Sequence, residues 1–95
     1  MPKYKLVVTT AFKRDYKKLV KRKYNLDLLT KIVNSLLNGE KLPLKNKDHA
    51  LTGNWNGYRE CHIEPDWLLI WEQYEEELLM LMINTGSHSD LFGKK

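Results

Sequence analysis

Ninety-five residues, 42% hydrophobic and 29% charged, make a single domain with one modest core. A single cysteine excludes an internal disulfide and a four-cysteine zinc site, and it suits a reducing cytoplasm. The net charge of +4 hides a split: thirteen Lys/Arg against three acids over residues 1–47, and three against nine over residues 48–95. Such asymmetry marks either a surface that faces a polyanion or a well-solvated helical face.

Tyr4 to Val8 alternates weakly and is rich in Val and Leu, which predicts a short strand. Thr9 or Thr10 can cap the next element, because a hydroxyl there accepts a first-turn N–H. From Ala11 to Lys23, Phe12, Tyr16, Leu19 and Val20 fall on one helical face, and Lys13, Arg14, Lys17, Lys18, Lys21 and Arg22 occupy the rest. The apolar stripe is narrow and contains a tyrosine, which favours packing on a sheet over lying on a membrane. Leu6 to Phe12 is too short and too interrupted for a signal peptide, and no stretch approaches the ~20 apolar residues of a membrane helix.

Asn25 or Asp27 opens a second helix, in which Leu29, Ile32, Val33, Leu36 and Leu37 keep one face and Asn38-Gly39 closes it. The short gap between the helices predicts an antiparallel hairpin. Residues 40–57 read as a long loop punctuated by Pro43, Gly53, Asn54, Asn56 and Gly57. Three strands are expected next, over about Tyr58–Ile63, Trp67–Gln73 and Leu78–Asn84, with Pro65 in the first turn because it cannot donate to a ladder. Alternation puts Tyr58, Glu60 and His62 on one face and Arg59, Cys61 and Ile63 on the other. The last strand is apolar on both faces and is expected to be central. A turn with room for one helical turn follows the last strand. The fold class is α+β: two N-terminal helices on a small antiparallel sheet, one domain over residues 1–95.

His49 lies in the long loop, His62 ends a strand, Asp66 sits at a hairpin tip and His88 follows the last strand. If these ends converge, three imidazoles and a carboxylate share one cleft. Imidazole exchanges protons near neutrality, as metal-free cleavage of RNA requires. Each residue has a plainer reading: His49 as a surface residue, His62 as a satisfied core histidine, His88 as a turn cap, Asp66 as a turn residue, Phe92 as a core plug, and Trp55, Trp67 and Trp71 as mostly core. A zinc site from the three histidines and Asp66 lacks the usual His-x-His or His-x₃-His pairing, so no metal and no cofactor is expected.

Three blocks carry a resemblance: Lys47-Asp48-His49-Ala50-Leu51-Thr52-Gly53-Asn54-Trp55, then Tyr58 to Ile70 with its His62-Ile63-Glu64-Pro65-Asp66-Trp67 centre, then Thr85-Gly86-Ser87-His88-Ser89-Asp90-Leu91-Phe92. In order and spacing they resemble the YafQ-type toxins of the RelE superfamily, from bacterial toxin–antitoxin systems. The resemblance implies a RelE-like two-layer fold and a ribosome-dependent mRNA interferase that cuts mRNA in the ribosomal A site. It also implies a cognate antitoxin partner, with the chain a monomer when free. Carried over by position, His49, His62, Asp66 and His88 form the acid–base and phosphate-contacting set. Trp67 and Phe92 fall where residues orient or stack on mRNA, and Glu60 where the family often has an acid. Many relatives place an arginine where this chain has Asn84, next to Thr-Gly-Ser-His. An amide donates but carries no charge, so either Arg59 or a helix lysine compensates, or the chain is a weakened or silenced member. The basic helix (Lys13, Lys17, Lys18, Lys21, Arg22) can meet rRNA and mRNA phosphates or an acidic antitoxin segment. The competing functions are a module that occupies a ribosomal or antitoxin surface without cutting, and a gyrase-directed toxin on the same scaffold.

Overall fold

In a computed structural model, residues 2–93 are described. Lys94 and Lys95, counted in the charge above, lie outside them. Strand β1 (Lys5–Val8) leads into helix α1 (Thr10–Lys21) and helix α2 (Leu26–Leu37). Strand β2 (His49–Ala50), β3 (Arg59–Glu64), β4 (Trp67–Tyr74) and β5 (Leu79–Gly86) follow, and a short helix α3 (His88–Phe92) ends the fold.

Local chemistry explains the ends of the helices. Thr9 caps α1 by accepting the Phe12 N–H at 3.0 Å, an interaction of about 1 kcal/mol. Asn25 caps α2 in the same way through the Asp27 N–H. Gly39 turns the chain out of α2 at φ +76°, where a side chain would be strained.

The sheet runs β1-β5-β4-β3-β2, so β4 is the middle strand. Its Trp67-Leu68-Leu69-Ile70-Trp71 run is 0–1% exposed. The expected central position of the last strand therefore passes to β4: β1 covers the outer edge of β5, while Leu79 and Leu81 stay half-buried. The sheet is also not wholly antiparallel. β1 pairs with β5 in parallel, Lys5 opposite Leu79 and Val8 opposite Met82. Alternation in a sequence reports which face a residue takes, and it carries no information on strand direction. The long loop is also more ordered than expected, with 3₁₀ turns over Leu44–Asn46 and Gly53–Trp55 on either side of β2.

The core lies between the helices and one face of the sheet. Phe12, Leu19, Leu29 and Leu36 meet Cys61, Ile63, Trp67, Leu69, Trp71, Met80 and Met82. Each such side chain taken fully from water contributes ~1.5–3 kcal/mol. Cys61 lies within this core, and burial pushes its thiol up to about 12. No helix among the described residues is long and apolar enough to cross a membrane.

Beyond Met82, β1 has ended and β5 has no strand on that side. Helix α1 fills the gap. Its Thr9 donates to the Ile83 carbonyl at 3.0 Å, and its buried Asp15 accepts the Thr85 N–H at 3.2 Å. An edge that would expose unpaired backbone is thus satisfied by a helix.

Candidate active site

The register of the sheet assembles the site on the face turned away from the two helices. His49 is opposite Glu60, Glu60 opposite Ile70, and Ile70 opposite Asn84, which sets four residues in one row across four strands. In the next row His62, Leu68 and Gly86 lie side by side. Leu68 and Ile70, both fully buried, give this polar set an apolar floor.

Each imidazole is anchored by its Nδ1. In His49 that atom is 2.6 Å from the Lys47 carbonyl, in His62 it is 3.3 Å from the Pro65 carbonyl, and in His88 it is 2.6 Å from Asp66 Oδ1. Carbonyl and carboxylate oxygens accept, so Nδ1 carries a hydrogen in all three rings. The Nε2 atoms of His49 and His62 point at one oxygen, Glu60 Oε1, at 3.3 and 3.9 Å. The rings of His62 and His88 are 5.7 Å apart between centroids.

His88 opens α3, whose start is tightly defined. Ser87 accepts the Asp90 N–H and Asp90 accepts the Ser87 N–H, a reciprocal cap. Asp90 also takes Arg22 in two bonds of 2.7 and 3.3 Å, which ties the end of α1 to α3. The guanidinium and the Ser87 bonds hold the Asp90 carboxyl down at about 2. Asp66 accepts both the His88 main-chain N–H, at 2.9 Å, and its ring. Those bonds, the main-chain one foremost, hold its carboxyl below the usual range, so it stays an anion beside His88.

Thus His49, Glu60, His62, Asp66 and His88 come together, and several other expected residues do not join them. Trp67 is 1% exposed, donates Nε1 to Thr85 Oγ1 at 2.9 Å and packs edge-on against Tyr24. Its ring has no face for a base, because its place on β4 points it into the core. Arg59 lies on the helix side of β3, opposite Trp71, and binds Asp48 at 2.8 Å. It cannot replace a cation at position 84. Asn84 is drawn to the edge, where its amide donates to Asp15 at 2.9 Å. Arg22 is held by Asp90, whereas Lys13, Lys17, Lys18 and Lys21 stand exposed on α1. Phe92 is 44% exposed and meets Trp55 edge-on at 5.4 Å, so its ring is accessible.

Two residues escaped the sequence reading. Asp15 occupies an apolar-stripe position, three after Phe12 and four before Leu19, and an acid there signals a buried partner. Buried Asn46 donates to the His62 carbonyl at 2.7 Å, and nothing in its sequence context announces it. Among the described residues, no three His, Cys, Asp or Glu side chains are placed to share a metal ion.

The structure is a small two-layer α+β protein in which three Nδ1-anchored imidazoles and two carboxylates, groups able to exchange protons, gather around β2, β3, the β3–β4 turn and the start of α3. The chain is a member of the YafQ family, described as bacterial toxins of type II toxin–antitoxin systems, and the match spans residues 4–93. The mRNA interferase toxin YafQ of Escherichia coli K12 is 42% identical over 90 residues, covering 95% of this chain and 88% of the relative. The E. coli DinJ–YafQ toxin–antitoxin complex superposes with a TM-score of 0.86 at 35% identity, covering 96% of this chain and 99% of the other. A metal-bound toxin from Helicobacter pylori gives 0.88 at 38% identity, covering 94% and 99%.

Proposed function

We propose that the chain is a ribosome-dependent endoribonuclease that cuts mRNA in the ribosomal A site by acid–base chemistry and is neutralised by a cognate antitoxin. The observation that carries this reading is the gathering of three imidazoles, each anchored by Nδ1, with the Nε2 atoms of His49 and His62 turned to the one Glu60 carboxylate. Its relatives named mRNA interferase and its likeness to a toxin held in an antitoxin complex support the same reading.

In this mechanism a base takes the proton of the RNA 2′-hydroxyl, whose oxygen attacks the adjacent phosphorus. The bond to the 5′-oxygen breaks, and an acid protonates that oxygen as it leaves, so a 2′,3′-cyclic phosphate and a free 5′-hydroxyl result. His88, its ring fixed by the Asp66 anion, is one proton-transfer group, and Asp66 stabilises the imidazolium it becomes. His49 and His62, as imidazolium ions, hold the phosphate through Nε2–H, and Glu60 orients both rings. One of them gives its proton to the departing 5′-oxygen while His88 takes that of the 2′-hydroxyl. Phe92 stacks on a base, while Lys13, Lys17, Lys18 and Lys21 meet rRNA phosphates. The free chain acts as a monomer in the cytoplasm.

Asn84 favours one second reading. Its amide is occupied by Asp15 and brings no charge to the phosphate, as expected of a member that occupies the ribosome or its antitoxin without cutting. Primer extension on mRNA from translation extracts given the chain separates the two. Cuts inside A-site codons that vanish with His88→Ala support the nuclease. Stalled ribosomes on intact mRNA overturn it.

A further inference from the structure

The cleft has a cationic neighbour that the acid–base set does not use. The 3₁₀ turn Leu44–Asn46 is bound to both flanking histidines: Asn46 holds the His62 carbonyl, and the Lys47 carbonyl holds the His49 ring. Lys47 itself takes the left-handed conformation at φ 49°, which turns the chain back towards β2. Beside this turn lies a pocket of about 440 Å³, within the ~300–1,000 Å³ of sites that hold small ligands. Leu28, Ile63 and Pro65 contribute apolar lining, and Lys45, Lys47 and His62 contribute polar lining, with Glu64 the opposing charge. A second hollow of about 160 Å³ shares Leu28, Lys45, Asn46 and Ile63 with it and extends to Lys31 and Leu42. Leu44 in the same turn is 96% exposed, an apolar side chain held in water.

We propose that this groove is a nucleotide subsite, in which Lys45 and Lys47 bind the backbone of the single-stranded RNA adjoining the scissile phosphate. It rests on the nuclease reading above for the identity of its ligand. Three observations select RNA as the occupant. His62 lines both the groove and the cleft, so a strand with its phosphate on His62 has the groove as its next step. Three lysines against one glutamate suit a polyanion. Apolar surface at Leu28 and Pro65, with Leu44 on the adjoining turn, suits the face of an unstacked base. Arg59, one cation the sequence offers in place of an arginine at position 84, is engaged by Asp48. The groove therefore supplies charge that Asn84 does not.

The test measures binding of a fluorescent single-stranded RNA dodecamer to the full-length His88→Ala chain as a function of salt. Lys45→Glu/Lys47→Glu should raise Kd at least tenfold. It should also make the slope of log K against log salt less negative by roughly 1.4, about 0.7 for each lost phosphate contact. Lys45→Arg/Lys47→Arg should keep parental affinity. In a translation extract, on a chain that retains His88, the Glu pair should raise the concentration for half-maximal cleavage about tenfold, with cleavage at saturation reduced less than threefold. If the Glu pair lowers the urea midpoint, Lys45→Gln/Lys47→Gln replaces it with half the expected effect. Unchanged Kd and slope, or no RNA binding by the His88→Ala chain at low salt, overturns the proposal. So does loss of binding to a purified antitoxin with RNA affinity intact, which would assign the groove to a protein partner. RNA binding that depends on these lysines in a chain that cuts no mRNA leaves the groove standing and overturns the nuclease reading alone.

Discussion

Asp15 on α1 accepts the main-chain N–H of Thr85 at 3.2 Å, and Thr85 is three residues before His88. The same oxygen accepts the Asn84 amide, while Thr85 Oγ1 donates to the Leu68 carbonyl and accepts from Trp67. Helix α1, the strand that leads to His88 and the strand that follows Asp66 thus meet at Thr85, whose main chain is held by one buried carboxylate. Asp15→Ala leaves the Thr85 N–H without a partner, and the expected loss is ~1–3 kcal/mol in urea denaturation. Asp15→Asn keeps an acceptor oxygen and should lose less. If the two variants unfold at the parental midpoint, Asp15 does not hold this edge.

Gly86 is needed for a close approach. A Cβ there would lie 2.9 Å from Asp90 Oδ2 and 3.0 Å from Asp90 Cβ, at φ +155°. Gly86→Ala must therefore push α3 away and strain the backbone, at ~1–3 kcal/mol. Because α3 begins at His88, cleavage should fall more than tenfold under conditions where the variant is still folded by circular dichroism. Parental cleavage by that variant would show that the placement of α3 does not matter.

Acid should loosen the tie between α1 and α3. The Asp90 carboxyl lies at about 2 in the fold against an ordinary 3.8, so its contribution to stability is complete above 3.8 and disappears as pH falls through about 2. Asp66 follows the same sign, lowered by its bonds to His88. The stability difference between the parent and Asp90→Asn, measured in urea at successive pH values, should be constant from pH 7 to 5 and vanish near pH 2. A gap that persists at pH 2 contradicts the Arg22–Asp90 assignment.

Trp67 and Phe92, which look alike in sequence, should separate by experiment. Trp67→Phe removes a buried donor from Thr85 and opens space against Tyr24, with an expected cost of ~1–3 kcal/mol. Phe92→Ala, on a half-exposed ring, should cost under ~1 kcal/mol yet reduce mRNA cleavage. Thermal melts and primer extension on both variants distinguish a core residue from an RNA contact.

Asn84→Arg should raise the cleavage rate by roughly 10- to 100-fold, below the full value of a transition-state donor because Asp15 competes for the new charge. An unchanged rate removes position 84 from the account of phosphate stabilisation.

Much of this was legible in the residues. Helical spacing located α1 and α2, and Pro65 located the hairpin that carries Asp66. Period-two alternation placed Glu60 with His62 and Arg59 with Cys61, and that same alternation could have removed Arg59 from the cleft, since it turns the guanidinium towards the helices. The plain reading of Trp67 as core holds, and the mRNA role that the resemblance implied for it does not. Two things were not legible. The direction of β1 leaves no trace in a four-residue strand. The pairing of His49 with Glu60 comes from a two-residue strand inside what reads as loop, too short for any periodic signal.

The chain's sole thiol sits among Trp67, Trp71 and Met82 in the core, held protonated by burial. An alkylating reagent needs the thiolate and room to approach, so the native molecule should ignore it, and each labelling event should record one opening of the interior. Cys61 is therefore a built-in clock for unfolding, one that can be read in the presence of a bound partner without adding a probe.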